Sequence, residues 1–206
     1  MTKFQVVGQV GEQKVAEGNG EQPFRQCKTG EQAISNVHGR YHEAMTRGRI
    51  FTAANQAAQA ISAALATTYT GLLIYNPIGS GIIAVPFKAK FALSVAPAAI
   101  ASIGLIGGFS ATGGVTAFTT PLTVQSGQIG NTSTGQVRAL SAATIVTPTW
   151  LAHLVDGFTA AALPAPSPWV DLDGTFGLLP GGFAAIGALT AVTGLGFLSW
   201  EEVPII

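Results

Sequence analysis

Few residues in this chain could carry chemistry, and their spacing decides how far each can be taken. Of its three histidines, His38 and His42 stand one helical turn apart. That spacing brings two imidazoles to one helix face and suits zinc. Gly39 weakens such a helix, and no third ligand follows at a metal-site spacing. His153 precedes Asp156 by three residues, and a serine beside them would complete a hydrolytic triad. Triads are spatial constellations, so closeness in sequence is no evidence for one. The single cysteine, Cys27, cannot form a disulfide within the chain. As a nucleophile it needs a base, and none is evident nearby. Asp171-Leu172-Asp173-Gly174 opens like a calcium loop, but the remaining ligands of that pattern are missing. A turn is expected there. Gly79-Ser80-Gly81 lacks the spacing of a nucleophile elbow, and no phosphate-binding or dinucleotide fingerprint is completed. A pair of catalytic carboxylates has no support from spacing. No catalytic, cofactor-binding or metal-ligating residue is therefore assigned, and the chain is expected not to be an enzyme.

The elements that would have to position such residues are written mostly without charge. Only 10% of the 206 residues are charged, against about 25% in ordinary soluble domains. The net charge is zero, which argues against a nucleic-acid partner. Twelve of the twenty charges lie in residues 1–49, and Phe91–Val137 has none. A surface so poor in charge is expected to be covered, by membrane or by other subunits. Thr175–Trp200 is uncharged over 26 residues, long enough to span a bilayer. Glycine and proline interrupt both it and Phe91–Phe118, and flanking Lys/Arg are missing. Burial against other subunits is the expected answer. Met1–Val15 shows no apolar core of a signal peptide.

The stretch Gly71–Leu93 organises the rest. Apolar runs Leu72–Tyr75 and Ile82–Phe87 flank Asn76-Pro77-Ile78-Gly79-Ser80-Gly81. Pro77 fixes its own φ and pushes Asn76 out of the α region, and the glycines permit positive φ. This predicts a strand pair joined by a short loop. Beyond it, Lys88 and Lys90 share one face and Ala89 and Phe91 the other. Residues 53–70 are alanine-rich, but they end in Thr67-Thr68-Tyr69-Thr70 without a cap, and strands are favoured. Further strands are expected at Ala98–Ile106, Val115–Phe118, Leu122–Gln125, Gln136–Leu140, Thr144–Val146 and Trp150–Val155. Pro164–Pro168 reads as a stiff surface excursion. A closing hairpin is expected, with strands at Phe176–Leu179, Phe183–Val192 and Leu195–Val203 and turns at Pro180–Gly182 and Gly194. Residues 1–31 are polar and sparse in apolar side chains, and cannot fold alone. Arg47-Gly48-Arg49 is placed to meet carboxylates of its own segment or of a partner. The expectation is an all-β chain: a β-sandwich or jelly-roll-like domain over 32–206, with an extended N-terminal arm over 1–31.

Three stretches together carry a resemblance: Val37-His38-Gly39-Arg40-Tyr41-His42-Glu43-Ala44 with Arg47-Gly48, then Tyr75-Asn76-Pro77-Ile78-Gly79-Ser80-Gly81, and Ser199-Trp200-Glu201-Glu202-Val203-Pro204-Ile205. Over roughly residues 25–206 the chain resembles virion structural proteins of tailed bacteriophages, in which a polar segment precedes an NPxGSG turn and a WEEVP end. The resemblance carries no catalytic residue. It implies a virion component assembled in the host cytoplasm, most simply a capsid cement or decoration protein. Its implied partners are copies of itself, as a trimer, and the major capsid protein or another virion protein. The alternative is a host-binding spike or fibre module, with Trp150, Trp169 or Tyr75 stacking on sugar.

Overall fold

The structure, a computed structural model, describes residues 40–99, 101–158 and 170–205. Two compact units divide at His42. Of the first, 1–42, only residues 40–42 are described, and the arm at 1–31 lies outside them. The second, Glu43–Ile206, holds both sheets.

Among the described residues a single helical turn, α1 (His42–Thr46), comes first and twelve strands follow. They are β1 (Ile50–Ala54), β2 (Gln59–Ile61), β3 (Thr68–Tyr75), β4 (Ile82–Leu93), β5 (Ala101–Phe109), β6 (Val115–Leu122), β7 (Gln125–Ser126), β8 (Arg138–Ile145), β9 (Thr149–Phe158), β10 (Val170–Asp171), β11 (Gly182–Ala188) and β12 (Val192–Pro204). One six-stranded sheet runs β10-β4-β12-β1-β7, with β2 also on β12; the other runs β6-β8-β3-β11-β5-β9. Every strand pair within the sheets is antiparallel.

The connectivity is specific. Set aside β2 and β6–β8, and eight strands remain in chain order: β1, β3, β4, β5, β9, β10, β11 and β12. The first, eighth, third and sixth of these are neighbours in one sheet; the second, seventh, fourth and fifth are neighbours in the other. That is the double Greek key of a jelly roll. The all-β sandwich expected from the sequence is what the chain forms. The segment β6–β8 is an insertion between the fourth and fifth jelly-roll strands. It widens one sheet beyond β3 and places β7 beside β1.

The period-two pattern builds the core. Ala89 and Phe91 are buried while Lys88 and Lys90 stay half-exposed, as the alternation requires. Strand β11 (GFAAIGA) is buried at every position, as suits a strand between β3 and β5 whose two faces are both covered. Leu72, Ile74, Leu105, Ile186 and Leu198 fill the interior, and Trp200 stacks on Phe51 at 6.4 Å. Gly104 and Gly187 oppose each other across β5 and β11. A Cβ at Gly104 would stand 2.9 Å from Cζ3 of Trp150, and one at Gly187 3.2 Å. The glycine pair is therefore the seat on which the indole of Trp150 lies.

Three expectations are corrected. The runs flanking Asn76–Gly81 are strands, β3 and β4, but they lie in different sheets and do not pair. The closing hairpin is likewise absent: β11 and β12 belong to opposite sheets, Gly194 sits inside β12, and Phe176–Leu179 contributes only a bridge of Leu178 to Ala84. Turn residues report that the chain reverses, not which partner the next strand takes; here each of these strands crosses to the other sheet. Finally, Gln136–Leu140 and Thr144–Val146 are parts of one strand, β8. No helix among the described residues is long and apolar enough to cross a membrane.

One buried polar group gives the fold a pH signature. The Tyr69 hydroxyl is directed at the carbonyls of Leu72 (3.0 Å) and Ile186 (2.6 Å). Burial pushes its pKa well above the usual tyrosine value. Above about pH 10 the unfolded chain ionises this phenol while the fold keeps it protonated. The stability is therefore fully present below that pH and is lost as pH rises further. Tyr69→Phe is expected to cost about 1–2 kcal/mol at neutral pH and to flatten the alkaline loss. Urea unfolding of both proteins between neutral and strongly alkaline pH measures this.

Candidate functional site

Among the described residues, those first considered for chemistry do not come together, and the side chain of Asp156 is not among those described. Cys27, His38, Trp169 and Pro164–Pro168 lie outside the described residues. His42 opens α1, far in sequence from His153 on β9, which is exposed and stacked on Trp150 at 5.9 Å. Among the described residues no three His, Cys, Asp or Glu side chains could hold a metal ion together. Asp171 accepts the Asp173 amide at 3.0 Å, and Asp173 and Gly174 have φ of 48° and 70°. The expected turn forms there. Ser80 Oγ accepts the Ile82 amide at 3.4 Å, again turn chemistry. Arg47 pairs with Glu43 at 2.7 Å, within its own segment. Tyr75 is buried beneath Phe118, and Trp150 packs on its glycine seat.

What the fold does assemble is one end of the sandwich. Asn76, fully buried, donates from Nδ2 to the carbonyls of Ile82 and Leu178, both at 2.8 Å. Its amide donates to Gly182 O at 2.9 Å, and its carbonyl accepts the Gly181 amide at 2.8 Å. Gly181 in turn accepts the amides of Ser110 (3.3 Å) and Gly114 (2.9 Å). Three loops, 76–81, 110–114 and 178–181, are thus knotted together. Gly79 and Gly81 adopt φ of 78° and 70° to close the first. A large apolar side chain stands out at or beside each loop: Ile78 (52% exposed), Phe109 (54%) and Leu179 (52%). No charged residue occurs in any of the three loops.

Beside this tip lies a cleft of about 510 Å³. Pro77–Ser80 form one wall, Phe118 and Pro121–Val124 a second, and Thr134–Leu140 a third. The wall from β6 overhangs: Thr116–Pro121 are exposed at every position, so this strand lies beyond the jelly roll with both faces open. The third wall is fixed from below. The Glu202 carboxylate, buried in β12, accepts the Gln136 amide on both oxygens at 2.9 Å and the Val137 amide at 3.0 Å. The Trp200 indole N–H reaches the same carboxylate at 3.4 Å. Arg138 lies with its guanidinium 5.4 Å over the Phe118 ring, and Phe118 packs on Tyr75 at 5.6 Å. A second cleft of about 490 Å³ runs between Phe109, Leu151, Phe176 and Leu179.

The motifs that stood out in the sequence therefore converge. Asn76-Pro77-Ile78-Gly79-Ser80-Gly81 supplies one wall, and Trp200-Glu201-Glu202 braces the opposite one. Sequence reasoning missed the part of Glu202 and Arg138. The signal was there: a lone carboxylate pair in an apolar strand, and a lone cation after 47 uncharged residues, Phe91–Val137. Comparison with family models, with curated proteins and with solved structures finds no match.

Proposed function

We propose that the chain is a structural component of a tailed-phage particle, a cement or decoration protein that binds and stabilises the head. The observation that carries this reading is the knotted, uncharged tip. Ile78, Phe109 and Leu179 are each about half exposed on loops held by buried hydrogen bonds. Rigid apolar groups on uncharged loops are suited to burial against another protein surface. In this reading the tips of three copies meet around a cyclic axis. In the same reading the arm, 1–31, adds contact to a neighbouring subunit. The likeness of the NPxGSG and WEEVP motifs supports the phage assignment. The jelly-roll connectivity is compatible with it by analogy only, since lectins and enzymes use that fold too.

Deleting residues 1–31 tests the clamping. Particles assembled with the shortened chain are expected to lose most of this protein, or to break at lower temperature. Full occupancy with unchanged heat resistance would count against the arm. Imaging of particles carrying a label on this chain tests the location.

A further inference from the structure

The cleft holds a combination that packing alone does not require. Among the described residues, Arg138 is the single charged one in its lining. It is exposed, its guanidinium is steadied by the Phe118 ring, and no carboxylate among the described residues pairs with it. Glu202 lies behind the wall, engaged by the Gln136 and Val137 amides and the Trp200 indole. Ser80, Thr123, Thr134 and Gln136 supply hydroxyl and amide groups, and Pro77 and Leu122 supply apolar surface. The volume, about 510 Å³, falls among small-ligand sites. Two buried polar side chains, Asn76 and Glu202, hold opposite walls, so little ordering remains to oppose binding.

We propose that this cleft binds an acidic saccharide, a uronic- or sialic-acid unit. The carboxylate takes the fork of Arg138, whose two parallel N–H donors match it. The ring hydroxyls meet Ser80, Thr123, Thr134 and Gln136, and the apolar face of the sugar lies on Pro77 and Leu122. One cation matches one carboxylate, whereas a phosphate dianion would leave a charge unmatched. An acidic peptide that docks by adding a strand meets an interrupted edge along β6. There the register against β8 shifts three times, and Pro121 removes an N–H, so a continuous ladder does not form. The cleft shares the 77–80 loop with the apolar tip, but its test reads the effect of Arg138 on sugar binding and not the oligomeric state, so either reading can fail without the other.

Saturation-transfer NMR on the full chain tests it, with glucuronic acid and N-acetylneuraminic acid at millimolar concentrations. Glucose and a glutamate-containing hexapeptide serve as the other observed probes, and inorganic phosphate, which carries no observable proton, is added as a competitor of the acids. Saturable binding of the two acids is expected, with glucose weaker by about tenfold or more. Arg138→Gln is expected to weaken the acids by a similar factor and Arg138→Lys by less, each with an unchanged thermal transition. Should Arg138→Gln fail to fold, Thr134→Val is expected to weaken the acids while keeping the charge. No binding of either acid, equal binding of glucose, preference for phosphate or the peptide, or full acid binding by Arg138→Gln would each overturn the proposal.

Discussion

Trp200→Ala is expected to remove about 3–5 kcal/mol of folding stability, the range reached when a large aromatic is cut out of a packed core. Trp200 is fully buried and stacks on Phe51, joining β12 to β1 at 6.4 Å. The cavity left would be walled by strands paired on both edges, since β12 lies between β4 and β1. Such strands collapse little, so most of the lost contact stays lost. The indole N–H also leaves the Glu202 carboxylate. Urea unfolding followed by far-UV circular dichroism measures the effect. A loss below about 1 kcal/mol would mean that this side chain is not the inter-strand plug described.

Glu202→Ala is expected to cost about 3 kcal/mol, because the Gln136 and Val137 amides lose a charged acceptor at 2.9–3.0 Å. The damage should be local first. Hydrogen exchange at Gln136 and Val137 should accelerate strongly, while exchange at Ile186 or Leu105 in the core follows only the global loss. Glu202→Gln keeps one oxygen acceptor and turns an NH₂ group on the donors, so an intermediate cost is expected. If both variants left Gln136 and Val137 as protected as in the parent chain, the carboxylate would not be what holds this wall.

These two residues also show which parts of the molecule are legible in the sequence. Lys88-Ala89-Lys90-Phe91 announces its strand and its buried face, because side chains alternate with a fixed period. The loop at Asn76–Gly81 is equally plain, since proline and glycine restrict or free the backbone locally. Yet the hydrogen bonds of Asn76 reach Leu178, and those of Glu202 reach Gln136. Partners 102 or 66 residues apart leave no period for a pattern to reveal. For the same reason the sequence reads as hairpins where the chain crosses between sheets: β3 and β4, and again β11 and β12, are joined by short loops that look alike in either case. The insertion β6–β8 hides because nothing in the residues of its strands marks them as additions to the eight-strand pattern. Its role emerges only when Thr116–Pro121 prove exposed on both faces.

The assembly reading rests on the tip, and sedimentation velocity of the full chain tests it most directly. The parent protein should sediment at three times its 21.0 kDa chain mass, and a variant carrying Ile78→Asp, Phe109→Asp and Leu179→Asp should sediment as a folded single chain. A parent that remains a single chain at every concentration, or a variant that associates as the parent does, would contradict the account.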